Sequence, residues 1–127
     1  MLFRSIADSD PTMTDLYETY FTEDGCEVVT VANGLQCIQA TRQRMPDLMI
    51  LEYELPWGGG DGVLECLRED FPAMSSEVVL ITCEQSADHL VHELEPPVRG
   101  CLRKPFRLRE LRELVQSVAD KCNHRDC

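Results

Sequence analysis

Leu48-Met49-Ile50-Leu51-Glu52-Tyr53-Glu54-Leu55-Pro56-Trp57-Gly58-Gly59-Gly60-Asp61-Gly62 is the stretch from which the rest of the chain can be read. Its first four residues are apolar without alternation, the pattern of a central strand covered on both faces. The run stops at an acid, Glu52, and passes into a loop rich in Gly and Pro. Val78-Val79-Leu80-Ile81-Thr82 repeats the pattern, ending this time in a hydroxyl. Further strands are expected at Phe3 to Ala7, Glu27 to Val31 and Arg99 to Arg103.

Helical periodicity fills the gaps. Asp10 suits an N-cap and Pro11 the first helical position, since proline has no amide to lose there. Met13, Leu16, Tyr17, Tyr20 and Phe21 then form one apolar stripe that Gly25 ends. A second helix opens at Asn33-Gly34, carries Leu35, Ile38 and Met45, and stops before Pro46. A third carries Val63, Leu64, Leu67 and Phe71 up to Pro72, and a weaker fourth spans Ser86 to Leu94. The last is the clearest, with Leu108, Leu111, Leu114, Val115 and Val118 on one side and charges elsewhere. Five strand-helix units imply an α/β three-layer sandwich, with a five-stranded parallel sheet in the flavodoxin-like order 2-1-3-4-5.

The chain has 127 residues, enough for one core, so we expect a single domain over residues 1–120 and a tail or linker over 121–127. Lys and Arg number 12 against 23 Asp and Glu, a net charge of −11. That excess argues against nucleic acid as a partner of this domain, because such binding rests on neutralised phosphates. No apolar run is long enough to span a membrane or to act as a signal peptide, so a cytoplasmic protein is expected. Of the seven cysteines none forms a CxxC pair, and most fall at apolar positions where a reduced thiol acts as a small hydrophobe. Cys122, His124 and Cys127 near the end, and His89 and His92 on the fourth helix, make poor metal sites.

In a doubly wound sheet the ligand crevice lies beyond the strand C-termini, where the strand order reverses. The first strand delivers Asp8, Ser9 and Asp10 there, the third Glu52, the fourth Thr82 and the fifth Lys104. Carboxylates with a hydroxyl and an ammonium suit a cation, or a phosphoryl group bridged by one. A flavin or nucleotide is not expected: Asp8-Ser9-Asp10-Pro11 presents anions and a missing amide where such cofactors need free amides.

Acidic residues before a proline, an apolar strand ending in an acid and then Leu55-Pro56, a strand ending in Thr82, and Lys104-Pro105-Phe106 before the last helix together resemble the receiver domain of bacterial response regulators. The resemblance runs from Phe3 to about Val118 and implies a CheY-like fold in two-component or phosphorelay signalling. In that family an Asp at the third strand's end takes a phosphoryl group, Mg²⁺ is held by that Asp and an acidic pair, and the Thr and Lys bind phosphoryl oxygens. Carried over, Thr82, Lys104 and Asp8 match. Glu52 takes the phosphoacceptor position, Ser9 the second acidic position, and Cys101 the place of the aromatic switch residue. The loop after Pro56 is about two residues longer than usual.

These replacements alter the chemistry. Glu carries its carboxylate about one C–C bond further out than Asp, and about 1 Å of misplacement can cost on the order of 10²-fold in rate. Ser9 brings an oxygen without charge, so Mg²⁺ held by Asp8 and Glu52 should bind weakly; Asp8 with Asp10 is a second possible acidic pair. The longer Glu52 also reaches towards Lys104 and Thr82, and a standing Glu52 to Lys104 pair could hold the arrangement that phosphorylation would otherwise induce. The resulting expectation is an atypical receiver, a binding module and not an enzyme, with phosphorylation lost or impaired; the alternative is a phosphorylation-competent receiver using the altered site with Mg²⁺. Expected partners are a sensor kinase or an output protein, through the face made by the fourth helix, fifth strand and last helix, with a homodimer also possible.

Overall fold

The computed structural model describes residues 2–71, 77–82 and 95–125, with side chains as far as residue 119. Strands β1 (Phe3–Ala7), β2 (Glu27–Val31), β3 (Leu48–Glu52), β4 (Glu77–Thr82) and β5 (Val98–Arg103) form one sheet in the order β2-β1-β3-β4-β5. Every neighbouring pair is parallel. Helices α1 (Pro11–Glu23), α2 (Gly34–Gln43), α3 (Gly59–Asp70) and α4 (Leu108–Arg125) pack against it. The helix expected over Ser86 to Leu94, with His89 and His92, lies outside the described residues.

The lack of alternation in β3 is explained by two cores. Met49 and Leu51 join Cys37, Val63, Leu64 and Leu67 on one face, while Leu48 and Ile50 join Tyr17, Phe21, Leu111 and Val115 on the other. All five residues of β3 are buried, Glu52 included. Each buried Leu or Ile contributes about 1.5–3 kcal/mol of hydrophobic stabilisation, so β3 is the sheet's anchor.

Caps follow the side-chain chemistry. Asp10 accepts from the Thr12 amide with Pro11 at the helix start, and Asn33 accepts from the Gln36 amide at 2.9 Å. Several boundaries differ from those expected. α2 ends at Gln43, leaving Met45 in the connection, and Leu35 is 61% exposed because its turn of helix faces solvent beside the Trp57 loop. α4 continues to Arg125, so the segment expected as a tail begins as helix; no Gly or Pro follows Val118 to stop it.

The Gly-rich loop is partly helix, for α3 starts at Gly59. Trp57 and Gly58 take left-handed φ values of 59° and 101°, turning the chain sharply, and the Gly34 amide ties the loop down on the Pro56 carbonyl at 2.9 Å. Gly60 is pressed against β3's end: a Cβ there would lie 2.6 Å from the Tyr53 Cα and 2.9 Å from the Glu52 carbonyl oxygen. Gly62, about half a turn further and so on the opposite side of the helix, has open space. Gly60→Ala should therefore cost about 1–3 kcal/mol by overpacking, whereas Gly62→Ala should gain about 0.5–1 kcal/mol of helix propensity. Urea unfolding of the two variants checks the contrast, and equal effects would contradict it.

Candidate functional site

Strand register builds the site. β1 and β3 pair as Ala7 with Leu51, so the next residues, Asp8 and Glu52, leave the sheet side by side. β4 and β5 end paired as Thr82 with Arg103, and Lys104 follows, its amide donating to the Thr82 carbonyl at 2.8 Å. Strands in register thus deliver two acids and a base to the same rim.

Both carboxylates are buried, Asp8 at 2% and Glu52 at 6% exposure. Lys104 Nζ lies 3.3 Å from Asp8 Oδ2 and 3.3 Å from Glu52 Oε1, bridging the two. The other Glu52 oxygen, Oε2, accepts from the Ser9 backbone amide at 2.8 Å and from the Ser9 hydroxyl at 3.0 Å. Asp8 Oδ1 accepts from the Asp10 amide at 2.9 Å. Glu52 is therefore held at both ends of its carboxylate. Asp10 faces away from this cluster and caps α1 through its Oδ1.

Thr82 occupies the rim as well, but its hydroxyl donates to Glu54 Oε1 at 2.7 Å. Alternation along β4 puts Thr82 on the side of Val78 and Leu80, whereas Glu52 shares a side with Leu48 and Ile50. The acid two residues beyond Glu52, an unremarked member of the loop in the sequence reading, is the one that meets this hydroxyl. Cys101 is largely exposed on β5, and the partial burial of its thiol, then the Glu54 charge, pushes its pKa up.

Tyr17 was legible only as one residue of an apolar stripe. It is fully buried, its hydroxyl makes no hydrogen bond among the described residues, and its ring stacks on Phe106 at 6.5 Å between centroids. Burial, then the Asp8 charge, pushes its pKa up to about 12. It closes the underside of the cluster with apolar surface.

The titrations follow from this crowding. Burial, reinforced by the Glu52 charge, raises the Asp8 pKa despite the Asp10 amide and Lys104. For Lys104 burial acts downwards, yet the Asp8 and Glu52 charges outweigh it and the net shift is upwards. Lys104 stays an ammonium at neutral pH.

Residues 5–116 match the response regulator receiver domain family. The chain belongs to that family. Among curated relatives, the DNA-binding response regulator MtrA of Mycolicibacterium smegmatis is 27% identical over 106 residues, covering 84% of this chain and 45% of its own length. The luminescence regulatory protein LuxO of Vibrio campbellii is 28% identical over 106 residues, covering 84% of this chain and 23% of its own. The chain thus spans less than half the length of these relatives. Among solved structures, a CheY-like receiver domain protein from Methanospirillum hungatei superposes with a TM-score of 0.88 at 20% identity, covering 98% of each chain. The receiver domain of the Francisella response regulator 1452 gives 0.85 at 20% identity, covering 95% of this chain and 98% of the other. The CheY-like fold and membership among two-component receivers are accordingly established. No helix among the described residues is long and apolar enough to cross a membrane.

Receivers commonly use Mg²⁺ at this rim, and the donor set here suits it poorly. The ammonium of Lys104 stands between the two carboxylates, and the Ser9 hydroxyl is a neutral oxygen already donating to Glu52. Among the described residues no three His, Cys, Asp or Glu side chains converge as metal ligands. A divalent cation would share Asp8 and Glu52 with the Lys104 ammonium, whose charge opposes it.

The sign of the pH dependence follows from Asp8. Its folded pKa is raised, so the native state binds this proton more tightly than the unfolded chain; the contribution is favourable below the ordinary value of 3.8 and is lost as pH rises through the folded value. Asp8→Asn, which keeps an acceptor for the Asp10 amide, should raise the thermal midpoint at pH 7 and leave it nearly unchanged below about pH 4. Calorimetry at the two pH values decides this, and destabilisation at pH 7 would contradict it.

Proposed function

We propose that this receiver is atypical: a protein-interaction module whose site is held by a standing Glu52–Lys104–Asp8 and Glu52–Ser9 network in place of an added phosphoryl group. The single observation supporting it is that both Glu52 oxygens are committed, Oε1 to Lys104 and Oε2 to the Ser9 amide and hydroxyl. A carboxylate so engaged is a weaker nucleophile, because the donors draw off its electron density and the fixed geometry limits in-line approach to phosphorus.

Ser9 and Glu52 make sense as a pair. An Asp at position 9 would set a third carboxylate against Glu52, whereas Ser donates to it. Holding a two-state switch fully on one side takes roughly 5 kcal/mol of differential stabilisation. One partly exposed ion pair supplies about 0–1 kcal/mol. Hydrogen bonds to charged groups contribute about 1.5–3 kcal/mol each, so the two Ser9 bonds and the Lys104 contacts bias the switch to the extent that the other state lacks them.

In this reading the phosphoacceptor-position residue is Glu52, Thr82 and Lys104 stand at the phosphoryl-binding positions, Asp8 lines the acidic pocket, and Cys101 stands at the switch position. With no ring at Cys101, output is carried by static presentation of β5 and α4. Partners are a sensor kinase or an output domain or protein, engaged inside the cytoplasm through the face expected from the Ser86 to Leu94 segment, β5 and α4. The second reading, a receiver that is phosphorylated at the altered site with Mg²⁺, is favoured by the retained Asp8, Thr82 and Lys104.

Incubation with a small acyl phosphate and Mg²⁺, followed by intact mass, separates the two. We expect no phosphoryl gain on the time scale at which Glu52→Asp reacts, and an incomplete reaction of Glu52→Asp until Ser9→Asp is added, since the metal defect persists. The difference between Glu52 and Glu52→Asp should be on the order of 10²-fold or more. Rapid modification of the unsubstituted chain would overturn the proposal.

A further inference from the structure

The end of the sheet opposite the acidic rim carries a second feature. Arg4 lies in β1, paired with Val28 of β2 and Leu48 of β3, and is only 6% exposed. Its Nε is buried without a hydrogen-bond partner, and no ion pair of Arg4 occurs among the described residues. Buried charges ordinarily have partners, because an unpaired one forfeits its hydration for nothing. An arginine cannot escape by losing its proton.

The guanidinium lines a cavity of about 270 Å³ between the C-terminal end of α1, the start of β2 and α4. Leu2, Phe21, Val115 and Ala119 form its apolar wall, and Gln116 and Cys26 add polar atoms. At the mouth Arg112 Nε binds Asp24 Oδ2 at 3.0 Å, so the one carboxylate lining the cavity is already neutralised by its own cation. Among the described residues Arg4 therefore has no carboxylate partner, and its Nε has no acceptor. A cavity of about 150 Å³ suffices for benzene, so this one has room for an anionic head and a short apolar body.

We propose that this cavity binds a small amphiphilic anion, its carboxylate or phosphate group on Arg4 and its apolar body against Phe21 and Val115. The planar fork of a guanidinium matches either oxyanion. The site is independent of the acidic rim, since four residues of strand place Arg4 about 13 Å from Asp8.

The test titrates hexanoate, hexyl phosphate, inorganic phosphate and hexanol into the full chain, followed by amide NMR shifts. At least one six-carbon anion should bind with shifts at Leu2 to Ser5, Cys26 and Gln116, and hexanol should bind at least about tenfold more weakly, as expected for losing a charged hydrogen bond. Comparing hexanoate with hexyl phosphate tells which oxyanion is preferred, and inorganic phosphate measures the share of the apolar body. Arg4→Met, of similar length and without charge, should weaken anion binding at least about tenfold while keeping or raising the unfolding midpoint. Anions binding no tighter than hexanol, shifts gathered at Asp8 and Lys104, or full affinity in a folded Arg4→Met would overturn the proposal; the comparison of anion with hexanol needs no variant to fold.

Discussion

The ammonium of Lys104 between two buried carboxylates is the interaction on which the site depends. Asp8 and Glu52 are set side by side by the register of β1 and β3, and without a cation between them two desolvated negative charges would repel at the sheet edge. Lys104 is the group that makes the register tolerable. Its own raised pKa expresses the same fact from the other side, since proton loss would leave both acids uncompensated. Ser9 completes the arrangement by donating twice to the remaining Glu52 oxygen.

That arrangement requires a rigid platform. β3 is buried along its whole length between two apolar layers, and the Gly60 approach clamps the chain directly after Glu52. Glu52 therefore has little freedom to withdraw. In the proposed function this rigidity matters as much as the charges, because a network that could relax would bias the switch by less than its contacts suggest. The Thr82 to Glu54 bond adds a second tie between β4 and the loop beyond β3, close to the exposed Cys101 on β5.

The two ends of the sheet differ in electrostatic economy. At the C-terminal rim Asp8, Glu52 and Lys104 each face a partner within hydrogen-bond reach, whereas at the N-terminal end the Arg4 Nε has none among the described residues. Folding tolerates one such uncompensated group when the surrounding burial is large, and a group of this kind is the place where a bound anion would add stability by mass action.

Strand order, the order of the four described helices, the two-faced burial of β3 and β4, the Asp10 cap, the helix start at Asn33-Gly34 and the delivery of Asp8, Glu52, Thr82 and Lys104 to strand ends were legible in the amino-acid sequence. They depend on apolar periodicity and on local capping, which short stretches encode by themselves. Tertiary structure alone decided which oxygen meets which donor: that Ser9 turns to Glu52, that Thr82 meets Glu54, that Leu35 is exposed and that Arg4 is buried. Those outcomes hang on register and on the space left between packed elements, quantities that arise only once distant segments share a core.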